Sequence, residues 1–419
     1  MQKLKHNPLV PYTEQTLPSG YTLVHKEVRS APIVAIDIWI HTGAINDPAP
    51  HYGLSHFYEH MFFKGTEKHG VGVMDQMITS LGGYNNAATS LDYTHYYVVL
   101  PSAGWKQALE VLVDSLQNPM FAPEEVERER AVIVEEIKRH EDNPWSKIYD
   151  EFTSAVFSAN EYRRQVLGTA ESLQTITRDT FVEYQQSRYQ PQNTTFSIVG
   201  DVGLQEVEDA LNQLLKNGSP QLSSPNHETF PIIEEPAEAV LHRDVNQAYL
   251  LLGIPTPRLL GTKSEYALDL LSIIMGDGRS SRLHRRLQDE LGIVSSISCN
   301  HWSMVHAGLF MVEAVTEPEL VEQVEREVLT ELEKIRDSIR ESEIDKARQM
   351  SRSDYAFGNE KVISIANTYG YSRIAATIEH AVHYLEKLES VTRQDIEEAI
   401  DQILVPRRLC KALLLPAQH

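Results

Sequence analysis

Two histidines and a glutamate fall within five residues, His56-Phe57-Tyr58-Glu59-His60. On a helix, residues four apart lie on one face, so His56 and His60 can hold one metal ion between their imidazoles. Glu59, one residue before His60 and three after His56, can reach a water on that metal. These are the parts of a zinc hydrolase, in inverted order relative to H-E-x-x-H. The neighbours Leu54, Phe57, Met61 and Phe62 are apolar. Two unpaired imidazoles and a carboxylate among them would be costly to bury, and a metal removes that cost. Catalytic zinc usually takes three protein ligands and keeps a fourth position open. The third ligand must therefore come from elsewhere. A helix starting at Pro123 offers Glu124, Glu125, Glu127, Glu129, Glu135, Glu136 and Glu141, and spacing alone does not choose among them.

The elements that must position these residues read as a mixture of strands and helices. Tyr21 to Val28, Pro32 to His41 and Tyr93 to Leu100 are rich in β-branched or aromatic residues and bounded by turn signals, which predicts strands. Leu54 to Lys64 predicts a helix ending before Gly65, and Gly70 to Leu81 a second one stopped by Gly82-Gly83. Trp105 to Gln117 and Pro123 to Asp142 carry helical spacing. The aromatic group Phe57, Tyr58, Phe62 and Phe63 reads as core.

The pattern then repeats. His25 to Ala31 precedes an apolar run, and so does His242 to Ala248, 217 residues on (242 − 25). Ile176-Thr177-Arg178 opens a helix and Pro191 leads into a β-rich run; Val391-Thr392-Arg393 and Pro406 do the same, 215 residues on (406 − 191). Two landmarks in one order at nearly one offset indicate duplication. The expected organisation is α+β, two duplicated units each with an antiparallel-rich sheet and helices on one face. The boundaries are 1–216 for the unit bearing the histidines, 217–236 for a Pro- and Ser-rich linker and 237–419 for the second unit.

Bulk properties narrow the function. With 419 residues, 42% hydrophobic and 23% charged, the chain reads as a soluble globular protein of at least two domains. A net charge of -21 excludes a nucleic-acid binder and favours cationic or unfolded peptides as long-range partners. No apolar run is long enough to span a membrane. The residues after Met1 show no apolar stretch of a secretory signal, so a cytoplasmic location is expected. Cys299 and Cys410 are too few for a disulfide framework or a thiolate zinc site. Gly276-Asp277-Gly278 lacks the residues of a phosphate-binding loop.

The stretch Gly53-Leu54-Ser55-His56-Phe57-Tyr58-Glu59-His60-Met61-Phe62-Phe63-Lys64-Gly65-Thr66 resembles the signature of the M16 metallopeptidases (pitrilysin, insulinase and mitochondrial processing peptidase). The duplication, the length and the segment Glu129 to Ile137 extend the resemblance over nearly the whole chain, and the size suits the short, processing-peptidase-like branch, with LuxS-like units. The resemblance implies one zinc per chain, with Glu136 as third ligand, 76 residues past His60 (136 − 60), and Glu129, seven residues earlier, orienting a ligand imidazole. It implies that Glu59 acts as general base on zinc-bound water in a zinc endopeptidase acting on peptides or unfolded segments inside a closed chamber. Gly82 to Tyr96 resembles the family stretch that includes a substrate-binding edge strand, with Asn86 and Ala87 at the matching positions. Thr89, Asp92 and Thr94 match too and read as structural. The second unit departs from the pattern. Where many relatives carry an Arg and a Tyr that help bind substrate and stabilise the reacting carbonyl, this chain has Gln288 and Ser295. The expected partner is a related chain supplying Arg and Tyr in a heterodimer; the alternatives are an active homodimer or a weak or inactive peptide-binding subunit.

Overall fold

The structure, a computed structural model, describes residues 7–216, 229–403 and 408–417. Residues 217–228 of the expected linker lie outside them. Backbone contacts divide the chain into two compact units. The first comprises Met1–Lys138, Arg164–Asn226 and Ala356–Val382; the second comprises Arg139–Arg163, His227–Tyr355 and His383–His419.

In the first unit, strands β1 (Thr13–Thr16), β2 (Thr22–Glu27), β3 (Ile33–Ile40), β4 (Tyr84–Thr89), β5 (Thr94–Pro101) and β6 (Thr194–Gly200) form one sheet in the order β1-β2-β6-β3-β5-β4. Strand β2 runs parallel to β6, and all other neighbours are antiparallel. Side chains alternate across β3. Val34, Ile36, Ile38 and Ile40 enter the main apolar core, while Asp37 and Trp39 face the other way. Helices α1 (Leu54–Phe62), α2 (Val73–Ser80), α3 (Trp105–Gln117) and α4 (Pro123–Asp142) contribute to this unit. Phe57, Tyr58 and Phe62 are fully buried in its core, as their spacing predicts. Both early helices are shorter than expected: α1 stops at Phe62, two residues short of Lys64, and α2 starts only after Gly72, which takes a left-handed φ of 77° at the helix entry.

Helix α5 (Pro144–Val156) follows, then α6 (Ala170–Gln174), α7 (Arg178–Arg188) and α8 (Leu204–Leu214). The second unit builds its sheet from β7 (Glu238–Arg243), β8 (Ala248–Pro257), β9 (Ser296–Ser303), β10 (Ala307–Thr316) and β11 (Cys410–Pro416), in the order β7-β11-β8-β10-β9. Its one parallel pair is β7 with β11. Strand for strand this repeats β2-β6-β3-β5-β4, so the duplication extends to topology and strand direction. Helices α9 (Lys263–Gly276), α10 (Val321–Ser338), α11 (Glu341–Gly358), α12 (Val362–Ala375), α13 (Ile378–Ser390) and α14 (Arg393–Ile403) complete the described chain.

The packing interleaves the two halves of the sequence. The division at 217–236 separates the strands of the two sheets, but one helix crosses it in each direction. Helix α12 packs on β3 and β6 of the first unit, on the face opposite its main core. There Ser197 Oγ donates to the Ala366 carbonyl at 2.9 Å. A Cβ on Gly370 would lie 2.2 Å from the Trp39 ring, so only glycine lets the helix approach so closely. Helix α5 packs on β7, β8 and β11 of the second unit. A Cβ on Gly253 would there meet the Phe152 ring at 2.7 Å. The helix layer expected on one face is thus joined by a single helix on the other.

Candidate metal centre

The site lies wholly within the first unit, on α1, α4 and β4. Asp47 fixes the entry of α1. Its Oδ2 accepts from the Gly53 backbone N–H at 2.8 Å, and its Oδ1 accepts from Ser55 N–H at 3.0 Å and from Ser55 Oγ at 2.5 Å. A carboxylate suits the positive end of a helix. Burial nevertheless pushes Asp47 up to about 6, against those hydrogen bonds.

One turn on, the His56 and His60 rings lie with centroids 4.8 Å apart. Glu136 reaches across from α4, its Oε2 at 3.7 Å from His56 Nε2 and 3.6 Å from His60 Nε2. One ligand atom from each of the three lies within 4.8 Å of the others. A tetrahedral zinc with bonds of about 2.0–2.1 Å holds its ligand atoms about 3.4 Å apart, so this two-nitrogen, one-oxygen set fits the ion with small side-chain shifts. Glu135, the neighbour that spacing could not exclude, turns to the exposed side of α4 and pairs with Lys138 at 2.6 Å.

The two histidines differ in what holds them. His60 Nδ1 lies 3.1 Å from Glu129 Oε2. With the proton on Nδ1, the ring donates to Glu129 and turns Nε2 toward Glu136. Glu129 is buried, and its other oxygen takes a salt bridge from Lys64 Nζ at 2.8 Å. His56 Nδ1 is buried with no hydrogen-bond partner among the described residues. Burial pulls His56 down to about 4; charge on His60 adds to that and Glu136 opposes it. Burial also pulls His60 down, but the bonds to Glu136 and Glu129 outweigh it and the net direction is up.

Glu59 sits on the same turn. Burial raises its pKa, opposed by a hydrogen bond from Thr89 and by His60. Thr89 Oγ1 donates to Glu59 Oε2 at 2.5 Å. Thr89 closes β4, and among the described residues β4 is a sheet edge, paired with β5 alone. Asn86 and Ala87 lie in the middle of that edge strand, where Asn86 Oδ1 accepts from the Ala87 N–H at 2.9 Å. Asn85 Nδ2 ties β4 to α2 through Asp75 Oδ1 at 2.8 Å. Thr94 Oγ1 donates to the Thr42 carbonyl at 3.1 Å.

Sequence reasoning gave no role to Lys64 and read Thr89 as structural. Lys64 follows His60 by four residues, a spacing that could have drawn attention to it. Thr89 carries no such local sign, because its contact with Glu59 spans 30 residues.

In the second unit, Gln288 Nε2 donates to the Ser295 carbonyl at 3.1 Å. The two positions are therefore neighbours, without a guanidinium or a phenol between them. Cys299 and Cys410 are both buried and free. Among the described residues no helix is long and apolar enough to cross a membrane.

A duplicated α+β chain with two histidines and a glutamate converging beside a buried glutamate has the makings of a metallopeptidase. Comparison with known proteins makes the assignment specific. Residues 22–170 match the model of insulinase-type peptidase family M16, and residues 175–351 match that of the peptidase M16 inactive domain. The chain belongs to peptidase family M16. It is 29% identical to an uncharacterized zinc protease of Rickettsia bellii over 347 residues, covering 83% of each chain. It is 28% identical to an uncharacterized zinc protease of Mycobacterium tuberculosis over 408 residues, covering 96% of this chain and 92% of that one. Among solved structures, a protease from Helicobacter pylori superposes with a TM-score of 0.91 at 23% identity, covering 97% of this chain and 99% of the other. Pitrilysin superposes with a TM-score of 0.83 at 17% identity, covering 98% of this chain and 45% of its own. At these identities the two structures bear on the fold alone.

Proposed function

We propose that this chain is a zinc-dependent endopeptidase acting on peptides or unfolded polypeptide segments, with one zinc held by His56, His60 and Glu136. The convergence of those three side chains beside Glu59 carries the reading. Zinc, when bound, supplies Lewis acidity, lowering the pKa of a water toward neutrality and polarising a scissile carbonyl. Glu59 takes the proton from the attacking water and passes it to the leaving amine. Glu129, braced by Lys64, keeps the His60 tautomer with Nε2 free for the ion. The substrate adds as a strand along the open edge of β4, past Asn86 and Ala87, so that backbone pairing grips many sequences. The net charge of -21 draws cationic segments toward the protein.

Gln288 and Ser295 bear on assembly. Both carry only neutral, shorter-reaching donors, without the cationic guanidinium of Arg or the phenol of Tyr that would stabilise a developing oxyanion. A related chain carrying that pair therefore completes the chamber in a cytoplasmic heterodimer. The same two residues support a second reading, a weakly active or inactive peptide-binding subunit. Cleavage of a quenched peptide library, with and without a chelator and with and without candidate paralogues, separates these readings. Chelator-sensitive cleavage that rises on adding the partner is expected. Full activity of the isolated chain contradicts the heterodimer, and no cleavage by any combination contradicts the peptidase.

A further inference from the structure

We propose that Thr89 is a positioning residue for the general base, tethering the Glu59 carboxylate to the end of the strand on which substrate docks. The inference rests on the peptidase reading above. A hydroxyl can donate one hydrogen, and Thr89 Oγ1 lies 2.5 Å from Glu59 Oε2, much closer than its 3.5 Å to Thr94 Oγ1. The hydrogen of Thr94 Oγ1 goes instead to the Thr42 carbonyl at 3.1 Å. Thr89 is the only hydrogen-bond donor to Glu59 among the described residues, and it takes up Oε2, leaving Oε1 for the proton transfer. Glutamate has three side-chain torsions, the last of them broad, so a carboxylate without such a donor samples several orientations. A base displaced by about 1 Å can cost about 100-fold in rate.

The backbone explains why Thr89 can serve both strand and base. It pairs with Thr94 in the β4–β5 register, at the last position of the edge strand. Its side chain points with those of Asn85 and Ala87 to the half-buried side of β4, and α1 packs against that strand. The strand that grips the peptide backbone thus also holds the oxygen atom that must meet the attacking water. A substituent that merely ended the strand would need only its backbone pairing and its methyl group.

Thr89→Val keeps the β-branched shape and removes the hydroxyl, whereas Thr89→Ser keeps the hydroxyl and removes the methyl. Zinc content, melting midpoint and steady-state cleavage of one quenched peptide are measured for both variants and for the wild type. Thr89→Val is expected to keep zinc and its melting midpoint, to lose about 10- to 100-fold in kcat and to change KM by less than about threefold. Thr89→Ser is expected to recover most of that kcat. An active Thr89→Val with a damaged Thr89→Ser overturns the inference in favour of methyl packing. A Thr89→Val that loses zinc or its melting transition also overturns it, because Thr89 would then be holding the fold. Zinc-loaded wild type that cleaves nothing, alone or with any candidate paralogue, overturns the peptidase reading, and this inference with it.

Discussion

Arg130 on α4 and Arg348 on α11 do the same work in different units. Arg130 pairs with Glu127 at 3.0 Å and donates to the Leu173 carbonyl and, at 2.8 Å, to the Ile176 carbonyl. Arg348 pairs with Asp345 at 2.7 Å and donates to the Val391 carbonyl at 2.5 Å. Ile176 and Val391 each precede a threonine at the entry of the next helix, Thr177 before α7 and Thr392 before α14. The arginines and their acids are both offset by 218 (348 − 130 and 345 − 127), and the carbonyls by 215 (391 − 176). In that register Glu129 corresponds to Ala347 and Glu136 to exposed Asp354. Helix α9, which leads from β8 to β9 as α1 leads from β3 toward β4, contains no histidine. The scaffold needs the clamp in both copies, because two segments must be held whatever chemistry follows. The metal chemistry needs its ligands only once.

The two units differ most in what Glu59 would do. Glu59→Gln keeps the shape of the side chain and removes its basicity, so it is expected to retain zinc and lose about 10²- to 10⁴-fold in kcat. Metal analysis beside a cleavage assay checks both. His56→Ala, His60→Ala or Glu136→Gln should instead lose the zinc, with activity following. Acidification acts on the same atoms. The metal-free protein holds His60 above its usual value, and zinc needs the neutral ring. As pH falls through that raised value, protons compete and the apparent zinc affinity drops; chelator competition across about pH 5–8 measures it.

The shared scaffold predicts smaller, paired effects. Arg130→Met takes a donor from two carbonyls, of which Leu173 keeps the Ile176 N–H at 3.2 Å, and Arg348→Met takes one from the Val391 carbonyl. Each should lower stability by about 1–3 kcal/mol, with Arg130 the more damaging. Melting transitions of the two variants test the ranking. Asp354→Asn should alter neither zinc content nor stability beyond about 0.5 kcal/mol, because Asp354 is exposed and the matching helix α9 carries no histidine.

What could be read from residues alone follows physical range. His56, Glu59 and His60 lie within one helical turn, so spacing reveals them. Glu136 and Glu129 share a face of α4, and the family resemblance singles them out from a helix crowded with acids. The strands β2, β3, β5 and β6 announce themselves by β-branched runs. Thr89 and the exchange of α5 and α12 depend on contacts far apart in sequence, which no local pattern encodes. The arginine clamp was within reach: Glu127-x-x-Arg130 and Asp345-x-x-Arg348 recur at almost the offset of the other repeats. Its meaning needed the carbonyls at Ile176 and Val391.

An anomalous difference map from crystals of the zinc-loaded protein, collected at the zinc absorption edge, tests the asymmetry most directly. One peak per chain is expected, within about 2.0–2.2 Å of His56 Nε2, His60 Nε2 and a Glu136 oxygen, and none in the second unit. A peak in the second unit, or none between those three side chains, would contradict it.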